Sequence, residues 1–390
     1  MPSLSGIRVV DFATVLSGPF AAMLLADQGA DVIKLETPDG GDSARRLVSV
    51  PGTDDLSIGF LAFNRNKRSV TLDITRPEGK EAAYRLLQWA DVLIINMRVD
   101  TRRRRGFTYE ELAAINPRLI YVSLTAYGDE GPDADQGGVD IRVQARIGDI
   151  TGRQEPGSPP PSHTMLFHFD MATSMLIAYA VTLALRDRER TGLGQKIETS
   201  LLQTGVSLHA IQTTRVLGLE QRYPSRPTGP TQIFRCADGR YIRVPAWEGL
   251  CETLQLNELT HDPRFDSAEH REQNAAALTE ILAPRLLQKP AAEWESMFKA
   301  AGHRAGMLRT AEEVFDDPQV IANNMIAQFE QPGVGEVQAV GLPFQRSATA
   351  DVPWLRSPAP HLGQHTHQVL LGLGYSQEEI AALGEGGVLG

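Results

Sequence analysis

Asp170 stands directly in front of a long apolar segment that runs to Leu185, opening Phe169-Asp170-Met171-Ala172-Thr173-Ser174-Met175-Leu176. The segment is apolar on nearly all sides, which predicts a buried helix rather than an amphipathic surface one. Asp170 then falls at the N-cap position, where an aspartate commonly accepts from free backbone N–H groups. The same placement suits a nucleophile. A helix N-terminus favours negative charge by roughly 0.3–1 kcal/mol, and an ionised carboxylate attacks activated acyl groups. Capping and reacting are compatible roles, and the local residues leave both open. His163 and His168 lie close by and could serve as acid or base, but their spacing assigns them no role beyond that of loop residues.

A reacting carboxylate needs a frame, and the N-terminal half supplies a pattern for one. Ile7-Arg8-Val9-Val10-Asp11-Phe12 reads as a buried strand. Ser17-Gly18-Pro19 turns the chain into an apolar helix, Phe20 to Asp27, that ends at Gly29, and Asp31-Val32-Ile33-Lys34-Leu35-Glu36 is the next strand. Further strands are expected at Ser69–Ile74, Asp91–Asn96 and Leu119–Leu124, with helices at Pro77–Trp89 and Tyr109–Ile115. Alternation of this kind predicts an open, mostly parallel, Rossmann-like α/β sheet. Ligands on such sheets bind at the carboxyl ends of strands, which directs attention to Thr14–Ser17, Asn96–Met97 and Thr125–Tyr127. The turn after the first strand lacks a G-x-G-x-x-G fingerprint, and no P-loop occurs.

Residues 128–166 form a long Gly-, Asp- and Pro-rich connection, of the kind that is usually functional or flexible. Arg222–Pro230 reads as a linker. A hairpin follows at Ile233–Val244, built on Asp238-Gly239, and then charged helical segments to about Asn323. The expected division is a large α/β domain made from residues 1–218 and 326–390, and a linker with a smaller α+β domain over 219–325.

The 390 residues suffice for two domains. A net charge of −10 argues against general nucleic-acid binding. With no run of ~18 apolar residues, no membrane span is expected, and no signal peptide is evident at Met1–Gly6. Cys236 and Cys251 make neither a metal motif nor a disulfide framework, so a reducing cytoplasm is expected.

The Asp-initiated apolar helix leads into Arg186–Arg190, read as a charged turn, then Thr191-Gly192-Leu193-Gly194-Gln195 and a strand. This combination resembles the class III CoA-transferase family, which includes formyl-CoA and carnitine CoA-transferases and shares its fold with acyl-CoA racemases. The resemblance covers nearly the whole chain. It continues in Leu4–Asp11, Ser17-Gly18-Pro19, Gly29–Glu36, Asn64-Arg65-Asn66-Lys67-Arg68-Ser69, Asn116–Tyr121 and Pro358–Thr366. It implies a large domain built from both chain ends, a small domain from the middle, and a homodimer of interlocked subunits.

The resemblance also implies chemistry. Members of the family move CoA from an acyl-CoA thioester to a small carboxylic acid, with no permanently bound cofactor or metal; CoA and acyl-CoA are substrates. Asp170 matches the family's catalytic aspartate, which forms a mixed anhydride and then an aspartyl-CoA thioester. Leu16, Leu72, Asn96, Met97 and Arg104 match positions that contact CoA, with Arg104 in the run Arg102–Arg105; by composition alone that run is a solvated charge cluster. Met97-Arg98-Val99-Asp100 departs from the usual Phe-Arg-Pro-Gly, and Thr37 stands where formyl-CoA transferase has an arginine. The racemases keep a histidine in a Gly-His-Asp segment that here reads Gly138-Val139-Asp140. An acyl-CoA racemase and a non-catalytic CoA-binding member remain the alternative readings.

Overall fold

The computed structural model describes residues 1–154, 158–162, 166–219, 232–349 and 351–390. His163 and the expected linker at Arg222–Pro230 lie outside these described residues. The chain forms two compact units, one of Met1–Thr214 with Met325–Gly390, the other of Arg215–Asn324.

The first unit is organised on a six-stranded sheet: β1 (Arg8–Phe12), β2 (Asp31–Glu36), β3 (Lys67–Thr71), β4 (Val92–Ile95), β5 (Ile120–Thr125) and β6 (Lys196–Ser200). The order is β3-β2-β1-β4-β5-β6, and every pairing is parallel. The strands are short and rich in Val and Ile because both faces are covered. Successive residues point to opposite faces. Val9, Val92, Ile94 and Val122 therefore pack under helices α1 (Ser17–Asp27) and, later in the chain, His168–Thr191. Val10, Leu93, Ile95 and Tyr121 pack under α2 (Pro77–Trp89) and the C-terminal helices Thr366–Gly372 and Gln377–Glu385. The chain's end thus completes the core that its beginning starts.

β3 ends at Thr71, three residues before the expected Ile74, because Asp73 turns the backbone: its carboxylate accepts from Thr75 N and Thr75 Oγ1. Arg102 to Arg105 belong to a helix, α3 (Val99–Arg105), that ends on left-handed Gly106. Among the described residues of the long connection 128–166 are α4 (Asp140–Arg146) and a further helical turn at Asp149–Gly152.

Helix α5 (His168–Thr191) differs from expectation in three ways. It runs six residues past Leu185, because Arg186–Arg190 are good helix formers and basic residues suit a C-terminus; left-handed Gly192 then stops it. It is buried on one stripe only. Thr173, Ile177, Val181, Ala184 and Arg188 face inward, whereas Met175, Leu176, Tyr179 and Leu183 are exposed. Apolarity on all sides made it look fully buried, but helical spacing lets the sheet and α1 cover only one side. Third, Asp170 is inside the first turn and is not the cap, a position taken by Phe167. α5 is also long and apolar enough to cross a membrane by length and composition, although no apolar run suggested it. Its inward stripe on the sheet is the packing of a core helix.

The second unit holds a three-stranded antiparallel sheet, β7 (Ile233–Arg235), β8 (Tyr241–Arg243) and β9 (Gly306–Met307). Phe234, Ile242, Leu254, Trp294 and Phe298 form its core. Cys236 and Cys251 are buried there as free thiols.

Candidate active site

The strand order reverses between β1 and β4, whose followers β2 and β5 lie on opposite sides. A crevice opens at the carboxyl ends of strands at such a point. The loop after β1 and the residue after β4 meet there. Thr14 N donates to Asn96 Oδ1 at 3.1 Å, and Asn96 Nδ2 donates to Thr14 O at 2.9 Å. This two-bond clamp suits an asparagine after β4, whose amide offers an acceptor and a donor on separate atoms.

The loop Ala13–Leu16 is held from beneath by buried charge. Asp11 Oδ1 accepts from Ala13 N at 3.1 Å, and Lys34 Nζ donates to Ala13 O at 2.9 Å. Lys67 Nζ donates to Asp11 Oδ2, Pro19 O and Asn64 Oδ1 at 2.7–2.8 Å. Asp42 pairs with Lys34 at 2.8 Å and accepts from Val15 N at 2.9 Å. The side chains of Asp11, Lys34, Asp42 and Lys67 are fully buried. Burial pushes Lys67 down to about 8, against the pull of Asp11. For Lys34, burial is outweighed by Asp11, Asp42 and Glu36, which hold its ammonium above the usual range. These groups fix Val15 in the left-handed region, φ 74°, a strained position for a β-branched residue. Gly18 is required one turn on, since a Cβ there would lie 2.2 Å from Ala13 Cβ.

Asp170 faces this loop from the first turn of α5. Ser17 Oγ donates to its Oδ1; among the described residues nothing bonds Oδ2. The cap that α5 lacks locally is supplied by Asp140, 1% exposed, whose Oδ2 accepts from Phe169 N at 2.7 Å and Asp170 N at 2.9 Å. Gln144 Nε2 steadies the other Asp140 oxygen at 2.6 Å. The Ser174 hydroxyl lies 2.8 Å from both the Ser17 and the Asp170 carbonyl oxygens, tying the two helix starts together. Burial pushes the Asp170 carboxyl up to about 6; Ser17 pulls it down and the nearby Asp140 charge pushes it up. At neutral pH it is still ionised about nine times in ten. It is thus a half-desolvated carboxylate with one oxygen held and the other without a partner among the described residues.

The space in front of Asp170 is a cavity of about 150 Å³. Leu16, Ser17, Asn96, Arg98, Gly138 and Val139 line it together with Thr125 and Leu201. Of the positions expected to contact CoA, Leu16 and Asn96 are here. Leu72 is 1% exposed in the core beneath α2, its N–H donating to Glu36 O and its carbonyl accepting from Ile74 N. Met97 packs on the same core. Arg104 is on the surface of α3, paired with Asp100 at 2.6 Å. Arg102, two residues earlier, is buried and bonded to Ser123, Tyr121 and Asp129, so one of the four arginines is structural. Among the described residues no histidine lines the cavity. His168 points toward Asp149, 3.8 Å away.

Sequence reasoning missed Ser17 as a partner of Asp170, Asp140 as its cap, and the Asp11–Lys34–Asp42–Lys67 cluster. The signal for the last was charged residues inside strands expected to be buried on both faces, Asp11 and Lys34 above all.

The chain belongs to CoA-transferase family III, whose family model matches residues 4–366. It is therefore a class III CoA-transferase, an enzyme acting on acyl-CoA and carboxylate substrates. A probable fatty acyl-CoA transferase of Mycobacterium tuberculosis is 34% identical over 93% of this chain and 96% of that protein. A succinate–glutarate CoA-transferase of Agrobacterium fabrum is also 34% identical, over 95% of each. The crystal structure of a CAIB/BAIF family protein from Brucella suis superposes with a TM-score of 0.84 at 33% identity, covering 95% of this chain and 99% of that one.

Proposed function

We propose that Asp170 is the covalent nucleophile of CoA transfer to a small carboxylic acid. The observation that carries this reading is the asymmetry of its carboxylate at a cavity at the strand ends: Oδ1 is held by Ser17, while among the described residues nothing bonds Oδ2. Oδ2 attacks the thioester carbonyl carbon, the C–S bond breaks, and CoA leaves as thiolate. The product is an aspartyl–acyl anhydride. CoA thiolate then adds to the aspartyl carbonyl, releasing the first acid and leaving an aspartyl-CoA thioester. The acceptor carboxylate displaces CoA from it, and CoA finally takes the new acyl group. Each step exchanges one carboxylate for one thiolate, so no proton or electron is consumed. The carboxylate splits one difficult exchange into easier ones.

A cavity of about 150 Å³ suits a short acyl group, and the dicarboxylate activity in the name of the Agrobacterium relative makes succinate and glutarate the first acids to try. The exposed apolar stripe of α5, Met175, Leu176, Tyr179 and Leu183, supports burial against a second copy of the chain. The two free, buried cysteines fit a reducing cytoplasm. The test is a panel of acyl-CoA donors against dicarboxylates and hydroxy acids, with intact-protein mass spectrometry after quenching. Wild type is expected to show an adduct localised to Asp170, and Asp170→Ala none and no exchange. Full exchange by Asp170→Ala would end this reading.

A further inference from the structure

Ser17 is the first residue of α1, 4% exposed, with its hydroxyl on the oxygen of Asp170 that does not attack. The consequences reach beyond the first step. Once Oδ2 has joined the acyl group, Oδ1 is the carbonyl oxygen of the aspartyl half of a mixed anhydride. The second and third steps both occur at that aspartyl carbon. A thiolate or carboxylate adds to it, the carbonyl electron pair moves onto Oδ1, and collapse restores C=Oδ1 as the leaving carboxylate or thiolate departs. Negative charge therefore develops on the atom to which Ser17 already donates.

We propose that Ser17 is a catalytic residue of this enzyme, its hydroxyl donating to Asp170 Oδ1 as the oxyanion donor for attack on the aspartyl intermediates. The geometry is preorganised in three ways. Ser174 fixes the carbonyl oxygens of both Ser17 and Asp170. Asp140 holds the backbone of Phe169 and Asp170. The loop leading into Ser17 is anchored on Asn96, Asp42 and Lys34. A donor that need not move when charge appears is the arrangement that lowers a barrier most. The same hydroxyl also stabilises the ionised carboxylate before attack, so its loss affects the first step through a different variable, the fraction of Asp170 ionised.

The inference rests on Asp170 as nucleophile, and the experiment separates the two. Wild type, Ser17→Ala and Ser17→Thr are mixed with the donor that wild type uses fastest, quenched on a millisecond-to-second scale, and weighed intact; the adduct is then chased with acceptor acid. Ser17→Ala removes one oxygen atom from the chain and is expected to melt close to wild type. It should form the Asp170 adduct yet discharge it about a hundredfold or more slowly, the usual loss for one oxyanion donor. The acid limb of adduct formation, near pH 6 in wild type, should move to higher pH. Ser17→Thr, which keeps the hydroxyl, should recover much of the discharge rate. No adduct in wild type would remove the nucleophile reading itself. An adduct in wild type, with Ser17→Ala discharging it at the wild-type rate and an unmoved acid limb, would overturn the role of Ser17 alone. Equal loss in the Ala and Thr variants at matched melting temperatures would do the same.

Discussion

Replacing Asp170 by Asn should make the protein more stable at alkaline pH and no more stable in acid. The carboxyl lies at about 6 in the folded chain against 3.8 ordinarily, because burial disfavours its charge. The folded state therefore binds this proton more tightly than the unfolded state. Its stabilising effect is complete below pH 3.8 and is lost as pH rises through 6, beyond which the folded chain must carry an ionised, half-desolvated group. At about 1.36 kcal/mol per pH unit, the penalty at pH 8 is roughly 3 kcal/mol. Asparagine has nearly the same shape, its Oδ1 can still accept from Ser17, and it carries no charge near Asp140. The gain at pH 8 is then up to about 3 kcal/mol, or several degrees in melting temperature. The two units need not unfold together, so the melting of the unit containing Asp170 is the quantity to follow. Thermal melts of wild type and Asp170→Asn at half-unit steps from pH 4 to 8 should diverge across the window from 3.8 to 6. Parallel curves, or a variant less stable at pH 8, would refute the idea that this site holds a carboxylate at a stability cost, the usual trade at a reacting group.

Lys67→Met should destabilise by about 3–5 kcal/mol, because it leaves the buried Asp11 carboxylate short of a partner, and urea unfolding at neutral pH measures it. A 2-methylacyl-CoA incubated with the enzyme in heavy water should gain no deuterium at its α-carbon by NMR. Proton return there needs two flanking acid/base groups, and Val139 cannot be one of them; rapid incorporation would favour a racemase. Arg104→Ala should weaken CoA binding by calorimetry more than it changes turnover, and unchanged affinity would leave Arg104 to its partner Asp100.

The sheet was legible because its strands are apolar runs separated by helix-length segments, and the α/β alternation admits few arrangements. The strand-end rule led to Thr14–Ser17 and Asn96, which do line the cavity. Asp170 stood out through its apolar neighbour, but its cap could not be read locally, since Asp140 reaches it from thirty residues upstream. Helix boundaries at Leu185 were misread because charged residues interrupt apolarity without interrupting a helix. The arginine run is one motif in composition and two in space, since helical spacing sends Arg102 inward and Arg104 outward. For the Asp11–Lys34–Asp42–Lys67 cluster the pattern shows only that Asp11 and Lys34 are charges inside buried strands; their pairing with Asp42 and Lys67, distant in sequence, cannot be read from it.

The Asp140 cap has one more consequence. Because the first turn of α5 closes onto a residue of the connection rather than onto its own flank, order at the proposed nucleophile depends on seating of α4 as well as on formation of the sheet. The sheet strands carry their own ladder bonds, whereas the amide hydrogens of Phe169 and Asp170 bond to Asp140 and are protected only when α4 is seated. Exchange at those two amides is thus a gauge of an armed site in a chain whose core is already complete. A protease cut or an insertion ahead of α4 would disarm the enzyme while its strands remained as slow to exchange as before.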